Sequence, residues 1–129
     1  MPRKRSVPLT EAEQRLMEVL WRLRSATLGQ VVDALPEPGR PAANTVQTTL
    51  KILESKGYVR HTAQGRSFLY APVVDRQAAA RTALSYVTAR FFGGSPAQVA
   101  LNLLDDESIT AEQLDALRKR IDEAKRGAQ

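Results

Sequence analysis

Cysteine is absent from the 129 residues, which excludes disulfides and thiolate metal sites. Histidine occurs once, as His61 on an alternating segment, where an imidazole serves as a surface group or a phosphate hydrogen-bonder rather than a metal ligand or catalyst. Aromatic residues make up 5% of the chain against 43% hydrophobic residues overall, so the core is expected to be aliphatic. No apolar run approaches the ~20 residues of a membrane span. The basic opening (Arg3, Lys4, Arg5) is not followed by an apolar segment, so it does not read as a signal peptide. A nucleophile with a base, a carboxylate pair in a cleft and a phosphate-cradling glycine loop are all missing from the pattern. The expectation is a soluble, cytoplasmic protein that is not an enzyme and carries no metal or cofactor.

What is present is an uneven charge. Residues 1–72 hold 11 Lys/Arg against 6 Asp/Glu, whereas residues 73–129 hold 8 of each, so the whole excess of +5 lies in the first part. A basic module joined to a neutral one suggests a polyanion binder attached to a part with another task.

The stretch Arg40–Lys56, R-P-A-A-N-T-V-Q-T-T-L-K-I-L-E-S-K, carries the strongest signal. Val46, Leu50 and Leu53 share one helical face. The opposite arc carries Asn44, Gln47, Thr48, Lys51 and Ser55, with Thr45 at its border, and has no carboxylate before Glu54. Solvated helix faces usually carry Glu–Lys pairs; a polar, carboxylate-free arc over an apolar stripe suits a helix lying in a DNA major groove.

The flanking segments give that helix a context. Thr10-Glu11-Ala12-Glu13 is a capping box, followed by Ala12, Leu16, Val19, Leu20 and Leu23 at helical spacing to about Arg24. Trp21 on this helix reads as a core or interface anchor. Thr27 and Gln30 repeat the box before a short helix with Leu28, Val31, Val32 and Leu35, which Pro36, Pro38, Gly39 and Pro41 stop. Gly57 suits the C′ position after the third helix. The period then becomes alternating, predicting strands over Tyr58–Thr62 and Ser67–Ala71 with Gly65 in the turn and Arg66 at its tip. Three helices and a hairpin are the winged helix-turn-helix order.

Three further helices are predicted. Asp75 caps one with Ala79, Ala80, Ala83, Leu84, Val87 and Phe91, ending at Gly93-Gly94. Ser95-Pro96 opens the second, with Val99, Ala100, Leu103 and Leu104, and Asp105-Asp106-Glu107 closes it. Thr110 and Gln113 cap the last, with Leu114, Leu117 and Ile121. The expected fold is mainly α with a small β-hairpin wing: a DNA-binding domain over 1–73 and a helical dimerisation region over 74–129. The residues expected at the dimer interface are Leu84, Val87, Phe91, Leu103, Leu114, Leu117 and Ile121. A homodimer fits a palindromic site, whose half-sites lie about one helical turn apart.

The segments L-T-E-A-E-Q-R-L-M-E-V-L-W, N-T-V-Q-T-T-L-K-I-L-E-S-K-G-Y-V, G-R-S-F-L-Y-A-P-V and F-F-G-G-S-P-A-Q-V-A-L-N-L-L, with I-T-A-E-Q-L-D-A-L, together resemble the penicillinase and methicillin-resistance (BlaI/MecI) repressors over roughly residues 8–122. The resemblance implies a dimeric winged-helix repressor on a palindromic operator in double-stranded DNA. It places base contacts on Asn44, Thr45, Gln47 and Thr48; Asn44 and Gln47 stand where family members often carry basic residues. Gln pairs with adenine and threonine methyls touch thymine methyls, a lean toward A·T positions. Lys51, Arg66 and the Arg3-Lys4-Arg5 arm are assigned to phosphates. The resemblance also implies release by proteolysis under a membrane-bound β-lactam sensor, with that sensor protease or its downstream protease as a partner. Its Asn-Phe bond falls on Asn102-Leu103, where asparagine matches and leucine replaces phenylalanine. The family's copper-sensing branch uses cysteines, which this chain lacks. A ligand-responsive winged-helix regulator and a winged-helix protein-binding module without DNA contact are the alternative readings.

Overall fold

The computed structural model describes residues 7–128, so Arg3, Lys4 and Arg5 lie outside the described residues. The elements run α1 (Glu11–Leu23), β1 (Ala26–Thr27), α2 (Leu28–Ala34), α3 (Ala43–Ser55), β2 (Val59–Gln64), β3 (Ser67–Pro72), α4 (Arg76–Phe91), α5 (Pro96–Leu103) and α6 (Ala111–Gly127). Two compact units result, one ending at Val87 and the other beginning at Thr88.

In the first unit α1, α2 and α3 close around a core that is mostly aliphatic but, unlike the expected one, also holds Tyr58 and Tyr70. The Thr10 hydroxyl accepts from the Glu13 amide at 3.1 Å while Glu13 Oε1 accepts from the Thr10 amide at 2.9 Å, and Thr27 with Gln30 does the same for α2. Val46, Leu50 and Leu53 of α3 are fully buried against Met17 and Leu20 of α1 and Val31 of α2. The buried side of α1 is rotated from the expected stripe: Ala12 and Leu23 are exposed, whereas Glu13 and Met17 are buried. The reason is a partner that periodicity cannot show, since Lys56 neutralises Glu13 and lets that edge of α1 turn inward.

Helix α3 starts at Ala43 rather than at Arg40. Ala42 is extended and provides no side-chain cap, and a residue before proline avoids the helical region, which keeps Arg40 outside. Its C-terminus closes in a Schellman motif: Tyr58 N donates to Leu53 O at 2.9 Å and Gly57 N to Glu54 O at 3.0 Å. Gly57 has φ 87°, which a Cβ would oppose. Tyr58 therefore belongs to the helix stop and the core, where it is 1% exposed, and β2 begins one residue later than expected.

The sheet has three strands in the order β1-β3-β2, all antiparallel. β2 and β3 form a hairpin from Val59↔Pro72 to Gln64↔Ser67, turning at Gly65 (φ 61°) and Arg66. β1 was not expected: Ala26 and Thr27 pair with Tyr70 and Leu69 and tie the wing's root to the start of α2. The first half of α4 closes the unit. Trp21 Nε1 donates to Val74 O at 2.9 Å, and Arg76 lies over the indole, 4.9 Å from its centroid, while bonding Glu18.

In the second unit, Gly94 N donates to Thr88 O, ending α4 in its glycine pair. The Ser95 hydroxyl accepts from Gln98 N and Pro96 starts α5. Asp106 accepts from both the amide and the hydroxyl of Ser108, so the acidic segment forms a turn, and these bonds hold its carboxyl below the usual range. Thr110 and Gln113 form the third reciprocal cap. Among the described residues, none of α5 or α6 is buried. Phe91, Leu101, Leu103, Leu114, Leu117 and Ile121 are all exposed, and so are Leu84 and Val87 at the end of the first unit. No helix among the described residues is long and apolar enough to cross a membrane.

Candidate nucleic-acid interface

The surface of interest is built by burying the other side of α3. With Val46, Leu50 and Leu53 inward, Asn44, Thr45, Gln47, Thr48, Lys51 and Ser55 all fall on the exposed side, as their spacing requires. The hydroxyls are partly committed: Thr48 donates to Asn44 O at 3.0 Å, and Ser55 to Ile52 O at 2.8 Å. Thr48 thus offers a duplex an acceptor oxygen and a methyl group, while Asn44 and Gln47 offer amides with both donor and acceptor.

The entry into α3 is fixed by Arg40, which lies before the helix rather than at its start. Its Nε donates to Leu35 O at 2.9 Å, one terminal nitrogen to Asp33 O at 3.1 Å, and the other lies 3.0 Å from Glu37. Arg40 therefore caps the carbonyl end of α2 and shapes the turn between the two helices of the helix-turn-helix pair.

Across from α3 stands the wing. Gln47, Arg66, Ser67, Phe68 and Tyr70 line an open groove of about 460 Å³ with Thr27, Leu28 and Gly29. Gln47 of α3, the wing turn at Arg66 and the start of α2 thus line one shared space. Arg66 brings a guanidinium to its rim, and no carboxylate lines it among the described residues. Beside Phe68, Glu54 Oε1 and Oε2 lie 2.8 and 2.9 Å from His61 Nδ1, and the imidazole sits on Phe68 with 4.3 Å between centroids. Burial, helped by the Glu54 carboxylate, raises the Tyr70 phenol above its ordinary value. The Glu54–His61 pair joins residues seven apart on different elements, and periodicity carries no signal for it.

The expected cleavage position lies elsewhere, in the second unit. Asn102 and Leu103 are the last two residues of α5, both exposed, and Asn102 Nδ2 donates to Gln98 O at 3.1 Å.

A helix pair presenting a polar arc, followed by a hairpin flanking the same groove, defines the winged helix-turn-helix class of DNA-binding domains. Within that class the chain belongs to the penicillinase repressor family, whose model matches residues 9–123; it is a family of DNA-binding regulators, not enzymes. It is 27% identical to the penicillinase repressor of Bacillus licheniformis over 122 residues, 95% of each chain. It is 31% identical to the transcriptional regulator BlaI of Mycobacterium tuberculosis (strain ATCC 25618 / H37Rv) over 120 residues, 92% of this chain and 86% of the other. A solution structure of the DNA binding domain of the repressor BlaI matches with a TM-score of 0.51 and 30% identity, covering 58% of this chain and 93% of that one.

Proposed function

We propose that this protein is a transcriptional repressor that binds a palindromic operator as a homodimer. The observation that carries the reading is the exposed polar arc of α3, free of carboxylates before Glu54, with its Gln47 lining the same groove as Arg66, in a chain of the penicillinase repressor family. Asn44, Thr45, Gln47 and Thr48 read base edges. Lys51 and Arg66, with the Arg3-Lys4-Arg5 arm, contact phosphates and set orientation without reading sequence. The operator favours A·T pairs opposite Gln47 and the threonines.

The dimer assignment rests on surface chemistry. Leu84, Val87, Phe91, Leu103, Leu114, Leu117 and Ile121 are exposed in the single chain, and apolar groups in that number gain by covering one another. The DNA-binding domain over 1–73 and the dimerisation region over 74–129 are thereby assigned separate tasks. Release from the operator proceeds by cutting at Asn102–Leu103 in response to a membrane-bound sensor protease. That bond lies in the last turn of a short exposed helix, where local opening costs little.

Footprinting on DNA upstream of the protein's own coding sequence tests the reading, with analytical ultracentrifugation of the free protein beside it. A protected inverted repeat and a dimer at micromolar concentration support it. A monomer that protects no sequence would overturn it.

A further inference from the structure

The wing stands out from the fold with little core beneath it. In β2 only Val59 is buried and Arg60 through Gln64 are exposed; in β3 the buried residue is Tyr70. The hairpin ladder joins β2 to β3, but a ladder does not set the angle of the pair against α3. That task needs a contact between elements.

β1 ties the wing's root to α2, and between α3 and the wing Glu54 and His61 supply such a contact. Both carboxylate oxygens lie within hydrogen-bond distance of Nδ1, at 2.8 and 2.9 Å. An ionised carboxylate only accepts, so Nδ1 carries the hydrogen and the ring's orientation is set. The imidazole then rests on Phe68 at 4.3 Å and lies 5.8 Å from Tyr70, its directly paired neighbour on β3. Phe68 borders the groove that Arg66 and Gln47 share. Direct contacts therefore run from the last turn of α3, through the imidazole, to the strand that carries the wing tip.

The position of Glu54 makes this informative. It follows Gln47 by one heptad, so the two lie within about 20° of one another around the helix. A carboxylate on that side repels phosphate, so charge alone argues against it there. We propose that Glu54 and His61 are positioning residues that hold the wing, and with it Arg66, at the angle a duplex backbone requires. The proposal rests on the phosphate role of Arg66 given above.

Its test uses the full-length protein and a generic duplex of scrambled sequence, because a phosphate contact is independent of sequence. Fluorescence anisotropy compares the wild type with Glu54→Ala, Glu54→Gln, Arg66→Ala and the Glu54→Ala/Arg66→Ala double variant. Nitrogen-15 relaxation of the wing amides follows the free proteins. If charge alone mattered, Glu54→Ala would tighten binding. The proposal expects Glu54→Ala to weaken it by about three- to tenfold, the size of one lost hydrogen bond. Glu54→Gln, which keeps an acceptor for Nδ1–H, stays within about twofold of the wild type, and the double variant binds no more weakly than Arg66→Ala. The wing amides gain amplitude in Glu54→Ala. Tighter binding by Glu54→Ala, full additivity with Arg66→Ala, or wing relaxation identical to the wild type would each overturn the proposal. If Arg66→Ala itself leaves duplex binding unchanged, the phosphate assignment fails, while the relaxation data still decide whether Glu54 holds the wing.

Discussion

The Lys56 ammonium lies 2.7 Å from Glu13 Oε1, the same oxygen that accepts the Thr10 amide. One carboxylate thus closes the start of α1 and grips the residue that caps the end of α3, 43 positions later. Glu13 is 5% exposed and Lys56 is half-buried, so the pair is held largely away from water. Replacing Lys56 with Ala leaves a buried charge without its partner. The expected loss is about 2–4 kcal/mol, reduced from that of a fully enclosed pair because Lys56 keeps some contact with solvent. Urea denaturation of the two proteins measures it; a change under about 0.5 kcal/mol would show that the pair is a surface contact.

The same pair gives stability a dependence on acid. Burial favours the neutral form of Glu13 and is the largest single influence. The bonds from Lys56 and Thr10 together outweigh it and hold the carboxyl below the usual range. A carboxyl with a lowered folded value contributes stability above its unfolded value, about 4.3, and loses it as pH falls through the folded value. Melting temperatures recorded on lowering the pH from about 6 to 3 should fall more steeply for the wild type than for Glu13→Gln. Parallel curves would remove Glu13 from the account of acid sensitivity.

At the junction of α1 with α4, two contacts of Trp21 differ in worth. Its indole donates to Val74 O from a half-buried position, whereas Arg76, though seated over the ring, has a well-exposed side chain and an exposed ion pair with Glu18. Trp21→Phe should cost about 1–2 kcal/mol, combining the bond with lost contact area. Arg76→Ala should cost less than about 1 kcal/mol. Thermal melts of both variants order them, and a larger loss for Arg76→Ala would reverse this assignment.

On the proposed DNA-facing surface, Gln47 and Arg66 should separate by the kind of loss. Gln47→Ala is expected to cost about 1–3 kcal/mol on the operator and to relax preference at one position per half-site. Arg66→Ala should weaken all duplexes alike and flatten the dependence of affinity on salt. Anisotropy titrations on operator and scrambled duplexes across a salt series distinguish them.

Much of this architecture is written in local pattern. The caps at Thr10, Thr27 and Thr110 and the helix stop at Gly57 each depend on residues within a few positions of one another, and all appear as their spacing implies. The exposed arc of α3 follows from Val46, Leu50 and Leu53 alone. What local pattern does not carry is pairing across the chain. Glu13 reads as a solvated cap residue until Lys56 is placed beside it, and the buried side of α1 shifts accordingly. Ala26 and Thr27 have no period at two residues and become a strand only because Tyr70 and Leu69 lie alongside. Arg40 fits a helix start by position, yet Pro41 disfavours the helical region there and its side chain bonds back to Asp33 and Leu35. The link between α3 and the wing through Glu54 and His61 is of the same kind.

The most direct test of the central claim is selection of bound sequences from a random duplex pool by the full-length protein. A palindrome-reading dimer should enrich an inverted repeat with A·T-rich half-sites whose centres lie about one helical turn apart, each facing one recognition helix. Recovery of unrelated sequences at the affinity of the starting pool would contradict it.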